Sequence, residues 1–157
     1  MKLMNLLVTC ALSLTLIGSA AAEEFNHPAG FKLWVPDGWT HEAEGEALQA
    51  TDPDEEVTFG FIVLDNASDI EAALKGLDEE LGKVIKDLKA EEPSETKING
   101  LDAVVVDAKG KIEGTAVDVG VALIAKGGKV MLVFGAVESS KAKKHDAAIE
   151  KIIKSIK

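Results

Sequence analysis

Several segments of apolar residues, alternating with polar ones or rich in β-branched side chains, predict β-strands. The alternation within residues 31–35 indicates a strand, and the Pro-Asp-Gly sequence at residues 36–38 favours a turn that ends it. Residues 39–44 and 46–50 predict two weaker strands. Residues 57–64 predict a stronger one, because they are rich in β-branched and aromatic side chains.

Helical spacing of apolar residues occurs in two other segments. Ser68 and Glu71 form a capping box, and the apolar stripe behind them predicts a helix that continues through Lys89. A second helix is predicted from about Ser140 to the end of the chain. Its apolar stripe consists of Ile149, Ile152, Ile153 and Ile156.

Three further strands are predicted between the helices, at residues 101–108, 112–125 and 129–137. Lys109-Gly110 and Gly127-Gly128 separate them and are interpreted as tight hairpin turns. Short turns connect antiparallel neighbours, so the element order predicts an α+β fold, in which helices pack on an antiparallel sheet.

The last two of these strands differ in pattern. Val117, Val119, Val121 and Leu123 share one side of their strand, while Asp118 and Gly120 lie on the other. Residues 130–137 are apolar on both sides, as expected of a central strand that is covered above and below.

Residues 1–22 have the pattern of a cleavable export signal. Lys2 gives a positive start, Leu6–Ile17 is an apolar run, and Ala20-Ala21-Ala22 is a small-residue cleavage site. The run is shorter than a typical membrane-spanning helix, and an uncleaved anchor is the alternative. Cleavage after Ala22 would leave residues 23–157 as a single domain in the periplasm or outside a bacterial cell, with no integral membrane span.

The charged residues and the cysteine content exclude several classes of protein. The chain has 27 acidic and 17 basic residues, a net charge of −10, which argues against nucleic-acid binding. Every basic residue is lysine, so the bidentate fork of arginine is absent. The one cysteine, Cys10, lies in the export signal. Phosphate-loop, dinucleotide-binding and haem-attachment motifs are also missing, and the sequence predicts no cofactor.

Three short motifs carry a resemblance to a known family. They are Gly30-Phe31-x-Leu33-x-Val35-Pro36-x-Gly38-Trp39, Ile98-Asn99-Gly100 and Ile152-x-x-Ser155-Ile156. With the element order, they resemble the PsbP-like fold of small secreted or periplasmic proteins of the DcrB type. The resemblance implies an α/β/α sandwich and a non-catalytic role as an accessory, assembly or chaperone protein. It implies no catalytic residue.

Candidate metal ligands are sparse. His27, His41 and His145 lack zinc-type spacing and are interpreted as surface residues. An acidic turn at residues 52–56 offers a better set for a hard cation such as calcium, with Asp52, Asp54 and Glu55 as candidate ligands. A solvated acidic turn is the alternative.

Trp34 and Trp39 are candidate contact residues for a partner or ligand. Alternation places Trp34 opposite Phe31, Leu33 and Val35, so its indole marks a contact site if that side of the strand faces solvent. If helices cover both sides of the sheet, Trp34 belongs to the core. Trp39 is interpreted as a packing residue after the turn.

The sequence therefore predicts an exported binding protein rather than an enzyme. No nucleophile has the context of a hydrolytic triad. The leading hypothesis is an accessory or chaperone-like component of a cell-envelope assembly, with a protein partner. The alternative is a domain that binds a small molecule or a divalent cation, through its acidic surface or a pocket between helix and sheet.

Overall fold

The computed structural model describes residues 23–27, 29–44, 47–64, 74, 76 and 81–157. Ten strands and a C-terminal helix, Ala142–Ser155, lie in this part of the chain, and residues 81–84 are also helical. The strands are β1 Glu23–Asn26, β2 Lys32–Val35, β3 Thr40–Glu44, β4 Ala47–Thr51, β5 Val57–Leu64, β6 Lys86–Ala90, β7 Ser94–Ile98, β8 Leu101–Ile112, β9 Thr115–Lys126 and β10 Lys129–Glu138. The predicted export signal and the predicted capping box lie outside the described residues.

Eight of these strands form one antiparallel sheet. Its order is β3-β4-β5-β10-β9-β8-β6, and β7 pairs with β8 beside β6. Strands β1 and β2 form a separate two-stranded ribbon. No helix among the described residues is long and apolar enough to span a membrane. The architecture is α+β, as the sequence predicts.

Both sides of the sheet carry a hydrophobic core. The side that faces the C-terminal helix and the β1–β2 ribbon includes Phe61, Met131 and Ile152. The opposite side packs Leu132 and Phe134 against the segment that contains the helical residues 81–84. Strand β10 contributes to both cores, which confirms the prediction of a central strand covered above and below.

The C-terminal helix is fixed to the ribbon and to the β7–β8 turn by hydrogen bonds at its end. Lys32 and Lys157 exchange backbone hydrogen bonds of 2.9 and 3.0 Å. The Asn99 side-chain amide donates to the carbonyl oxygens of Lys154 and Ile156, both at 2.6 Å. These bonds satisfy carbonyl groups that a helix end leaves without internal partners.

The predicted helix is wrong in its last residues. Residues 86–90 form β6, which pairs with β8, and the change of direction places Asp87 at a positive φ of 54°. Ile85, just before β6, is buried in the core on the opposite side of the sheet. Pairing with the edge of β8 therefore overrides the helical spacing of the local sequence.

The predicted turn at Lys109-Gly110 is also wrong. Strand β8 continues to Ile112, and Glu113-Gly114 makes the turn with φ values of 51° and 89°. Gly110 has another role, since a Cβ there would overlap the Ile85 Cγ2 methyl and lie 3.0 Å from the Lys86 carbonyl oxygen. The predicted turn at Gly127-Gly128 is confirmed, with φ values of 58° and 78°.

Candidate functional site

A groove of about 460 Å³ lies between the C-terminal helix and the sheet. Strands β5, β10, β9 and β8 form its floor, and one side of the helix forms its wall. The wall residues follow helical spacing, so they line up along the groove: Ala142, Asp146, Ile149 and Ile153. The pocket between helix and sheet that the alternative hypothesis names would lie here.

Cross-strand pairing builds the floor from three rows of residues, each of which runs from β5 to β8. One outer row consists of Val57, Val137, Asp118 and Lys109. The other consists of Phe61, Val133, Ala122 and Val105. The middle row is Phe59, Gly135, Gly120 and Asp107. Two adjacent strands thus place glycine at the same point of the floor, which removes two side chains and opens the groove.

The two glycines of the middle row differ in the space around them. A Cβ on Gly135 would lie 2.9 Å from Cε1 of Phe59, because the Phe59 ring already covers that glycine. A Cβ on Gly120 would meet only Asp107 Oδ1, at 3.8 Å. The open space of the floor therefore lies over Gly120, which is exposed.

Four carboxylates border the groove, and we call them the rim carboxylates: Glu91, Asp107, Asp118 and Asp146. Asp118 accepts a hydrogen bond from Ser139 Oγ at 2.8 Å, and the Glu91 N–H donates to the Asp107 carbonyl. Lys109 is the one cation among the residues that line the groove. The remaining lining side chains are apolar, so the groove combines an apolar floor with a negative border.

A second polar cluster lies where the loop between β4 and β5 meets the start of the C-terminal helix. Asp52 is buried, and its Oδ1 accepts the Val57 N–H at 2.6 Å while its Oδ2 accepts the Asp54 N–H at 3.3 Å. The Asp52 backbone N–H also donates to the Val57 carbonyl oxygen, and the Asp52 carbonyl oxygen accepts the Glu55 N–H. The Asp52 carboxylate therefore closes this loop through backbone donors, as aspartate does in Asx-turns.

Glu56 connects that loop to the helix. Its carboxylate lies 2.7 Å from Lys144 Nζ, 2.8 Å from His145 Nε2 and 3.2 Å from Lys141 Nζ. Hydrogen bonds from Lys144 and then His145 hold the pKa of Glu56 at about 2. Asp54 and then Glu56 raise the pKa of the Lys144 ammonium above its usual range.

The polar cluster also contains the one group among the described residues that could hold a metal ion. Asp52, Glu56 and His145 can place one ligand atom each within 4.8 Å of the others. The same oxygens already accept backbone N–H groups and two lysine ammonium groups. A bound cation would have to displace or tolerate those positive partners.

The predicted ligands of the acidic turn do not all converge. Asp52 is buried, whereas Asp54 is exposed and binds Lys144 at 2.8 Å. Glu55 is exposed and has a positive φ of 57°. The structure brings Asp52 together with Glu56 and His145 instead.

The interpretation of His27 and His145 as surface residues is wrong. Both are 7% exposed. His145 is hydrogen-bonded to Glu56, and His27 Nδ1 accepts the Ala29 N–H at 3.0 Å. The His145 imidazole fixes the first turns of the C-terminal helix, and the His27 imidazole fixes the connection between β1 and β2.

The two tryptophans lie in different surroundings. Trp39 is 6% exposed and packs 6.2 Å from the Phe59 ring, between centroids, a position that favours the packing interpretation. Trp34 is half-buried beneath the C-terminal helix, with Lys151 Nζ 3.9 Å from its ring centroid. Its backbone N–H donates to Ser155 Oγ at 2.9 Å. Neither indole lines the groove.

No sequence motif predicts which residues line the groove, although one signal is present. Glycine within a strand often marks a close approach or an open site, and Gly120 was placed on the side of its strand opposite the valines. Pairing with Gly135 is what turns that signal into a groove. Glu56 and His145 carried no local signal, because 88 positions of sequence separate Glu56 from its partner Lys144.

Comparisons with known proteins find solved structures of similar architecture. No protein-family model and no curated protein sequence matches the chain. Among solved structures, cyanobacterial PsbP (CyanoP) from Synechocystis sp. PCC 6803 has a TM-score of 0.67 at 8% identity, covering 94% of this chain and 98% of that one. The chain has a PsbP-like fold.

Two other solved structures are also similar. LpqN, described as involved in cell envelope biogenesis of Mycobacterium tuberculosis, has a TM-score of 0.59 at 16% identity, covering 87% of this chain and 89% of that one. The Saccharomyces cerevisiae Ran-binding protein Mog1p has a TM-score of 0.55 at 14% identity, covering 88% and 96%. At such identities the similarity shows the fold, and function has to be argued from the site.

Proposed function

We propose that this chain is an exported, non-catalytic accessory protein of the bacterial cell envelope, and that it binds a protein partner in the groove between the C-terminal helix and the sheet. The observation that carries the proposal is the floor over Gly120, where apolar surface stays open in an otherwise well-filled core. Exposed apolar surface with a polar border is typical of interaction sites.

The residues of the groove favour binding over catalysis. They are apolar side chains, four carboxylates and one lysine, without a hydroxyl, thiol or imidazole. A nucleophile with an adjacent base is the usual arrangement for covalent catalysis. Export rests on the pattern of residues 1–22, and the similarity to LpqN, a protein of envelope biogenesis, agrees with that location.

Photo-crosslinking in the living bacterium tests the binding surface. A photoreactive residue at Lys109, on the border of the groove, should form an adduct with an envelope protein, identified by mass spectrometry. The same probe at Glu42, on the far edge strand β3, is the matched control and should not. Gly120→Val should abolish the Lys109 adduct, because valine fills the open floor. An adduct that survives Gly120→Val would refute the groove as the binding surface.

Export has a separate test. The protein recovered from a periplasmic fraction should begin at Glu23 when its N-terminus is sequenced. Recovery only from the cytoplasm, with residues 1–22 intact, would contradict the proposed location.

A second candidate function is the binding of a small apolar molecule in the same groove. The volume of about 460 Å³ favours it, since small-molecule pockets span roughly 300–1,000 Å³. Dodecanol or dodecylamine should then raise the melting temperature of the wild type and not that of Gly120→Val.

Cation binding near Asp52 stays a prediction. Calorimetry with calcium and with zinc at physiological salt tests it for the acidic turn and for the group of Asp52, Glu56 and His145. The absence of heat with both ions would remove it. A saturable heat that Asp52→Asn abolishes would support it.

A further inference from the structure

We infer that the occupant of the groove is a basic amphipathic segment of a partner protein, which places apolar side chains on the glycine floor and lysine or arginine side chains against the rim carboxylates. The inference rests on the proposed function and specifies the chemistry of the partner. It follows from the charge, the shape and the open volume of the groove.

The charge of the border selects a cationic partner. None of the rim carboxylates forms an ion pair within the described part of the chain, whereas Glu56, Asp54 and Glu150 elsewhere all bind lysines. Lys109 alone opposes them among the lining residues. An anionic segment would meet uncompensated negative charge on both the sheet and the helix.

The shape favours a chain segment over a compact small molecule. The three floor rows span about 14 Å along the strands, since residues two apart on one side of a strand are separated by about 6.8 Å. The border is exposed at Asp107 and Asp146, and the wall residues Ile149 and Ile153 are only half-buried. A pocket for a small ligand normally encloses most of its surface, while an elongated segment can lie along an open trough.

The apolar contact has a defined centre. Gly120 leaves room for one inserted side chain, and Val105, Ile149 and Ile153 offer half-buried apolar surface around it. Removal of that surface from water supplies affinity, and the rim carboxylates supply orientation and selectivity.

Peptide binding to the purified protein tests the inference. The probes are three labelled peptides of equal length: alternating lysine and leucine, alternating glutamate and leucine, and alternating lysine and serine. Only the lysine–leucine peptide should bind saturably in fluorescence anisotropy, and it should shift the amide NMR signals of Gly120 and Gly135. Binding should weaken as salt is added, because the ion pairs are exposed.

Four variants locate the effect. Gly120→Val should abolish binding, while Ala116→Val, on the same side of β9 but outside the groove, should leave it unchanged. The double variant Asp107→Asn/Asp146→Asn should weaken binding about twofold to thirtyfold. The control Glu42→Gln/Glu44→Gln removes the same charge from the far edge strand and should change affinity little.

The remaining outcomes separate this inference from the proposed function. If Gly120→Val removes the crosslinked partner in cells while all three peptides bind alike or not at all, the groove is the binding surface and the basic segment is wrong. If the two double variants weaken peptide binding equally, the peptide is attracted to the acidic protein in general, and the inference of a basic segment in the groove is overturned. If benzyltrimethylammonium binds as tightly as the lysine–leucine peptide, the occupant is a small apolar cation instead.

Discussion

Two adjacent stripes of the C-terminal helix face the sheet. One stripe is fully packed against it and is called the closed side, and the other borders the groove and is called the open side. On the closed side, Ile152 is 1% exposed and His145 is hydrogen-bonded to the loop below it. On the open side, Ile149 and Ile153 stay half-buried, because the strand beneath carries Gly120. One side holds the helix in place, and the other leaves apolar surface open.

The difference does not come from the helix itself, since both sides carry isoleucine. It comes from the volume of the residues on the sheet opposite. Large side chains such as Met131 fill the core beneath the helix, whereas Gly120 of β9 leaves the groove. An open apolar surface can therefore arise from small residues on a neighbouring element, with the helix stripe unchanged.

Truncation of one isoleucine on each side is the strongest test of this comparison. Ile152→Ala should lower the free energy of unfolding by about 2–5 kcal/mol, because it leaves a cavity in a filled core. Ile153→Ala should cost clearly less, since that side chain is already partly exposed. Urea denaturation measures both, and equal losses would show that the two sides are packed alike.

The two floor glycines provide the next test. Gly135→Ala should destabilise the fold by about 1–3 kcal/mol, because the new Cβ would press on the buried Phe59 ring. Gly120→Ala should leave the melting temperature nearly unchanged, as its Cβ has room. A large loss for Gly120→Ala in thermal denaturation would mean that the groove is not open.

The loop on the closed side depends on Asp52. Asp52→Ala should cost about 1–3 kcal/mol, since the Val57 N–H loses its acceptor in a buried position and the Asp54 N–H loses one in a part-buried position. Asp54→Ala, which removes an exposed ion pair with Lys144, is the control and should cost less. Urea denaturation measures both losses of unfolding free energy, and a larger loss for Asp52→Ala than for Asp54→Ala supports the assignment of Asp52 to loop closure.

The smallest effect concerns acid stability. The pKa of Glu56 is lowered from 4.5 to about 2, so its ionised form stabilises the folded state above pH 4.5, and that contribution is lost as the pH falls towards 2. Glu56→Gln should therefore melt below the wild type at neutral pH, and the two melting temperatures should converge between pH 4.5 and 2. A constant difference across this range would exclude Glu56 as the titrating group.

Local sequence predicted the elements whose signals are themselves local. The β-branched and aromatic residues at 57–64 predicted β5, the Gly127-Gly128 pair marked a hairpin turn, and the isoleucine spacing located the last helix. In each case the physical cause acts within a few residues, as side-chain periodicity or as backbone freedom at positive φ.

Predictions failed where a distant contact decided the outcome. Residues 86–90 have helical spacing, but the open edge of β8 turns them into a strand. Gly110 resembles a turn glycine in sequence, although it is needed because Ile85 passes over it. In the same way, Glu56 gains its low pKa from Lys144 and then His145 on the C-terminal helix.

The sequence by itself determined the α+β class, the central strand β10 and the two sides of β9, because a strand's alternation fixes which residues share a side. It also supplied the export pattern and the absence of arginine. The tertiary structure alone decided that Gly120 lies beside Gly135 and beneath the helix wall. Strand register sets that neighbourhood, and register depends on pairing across the whole sheet rather than on any one segment.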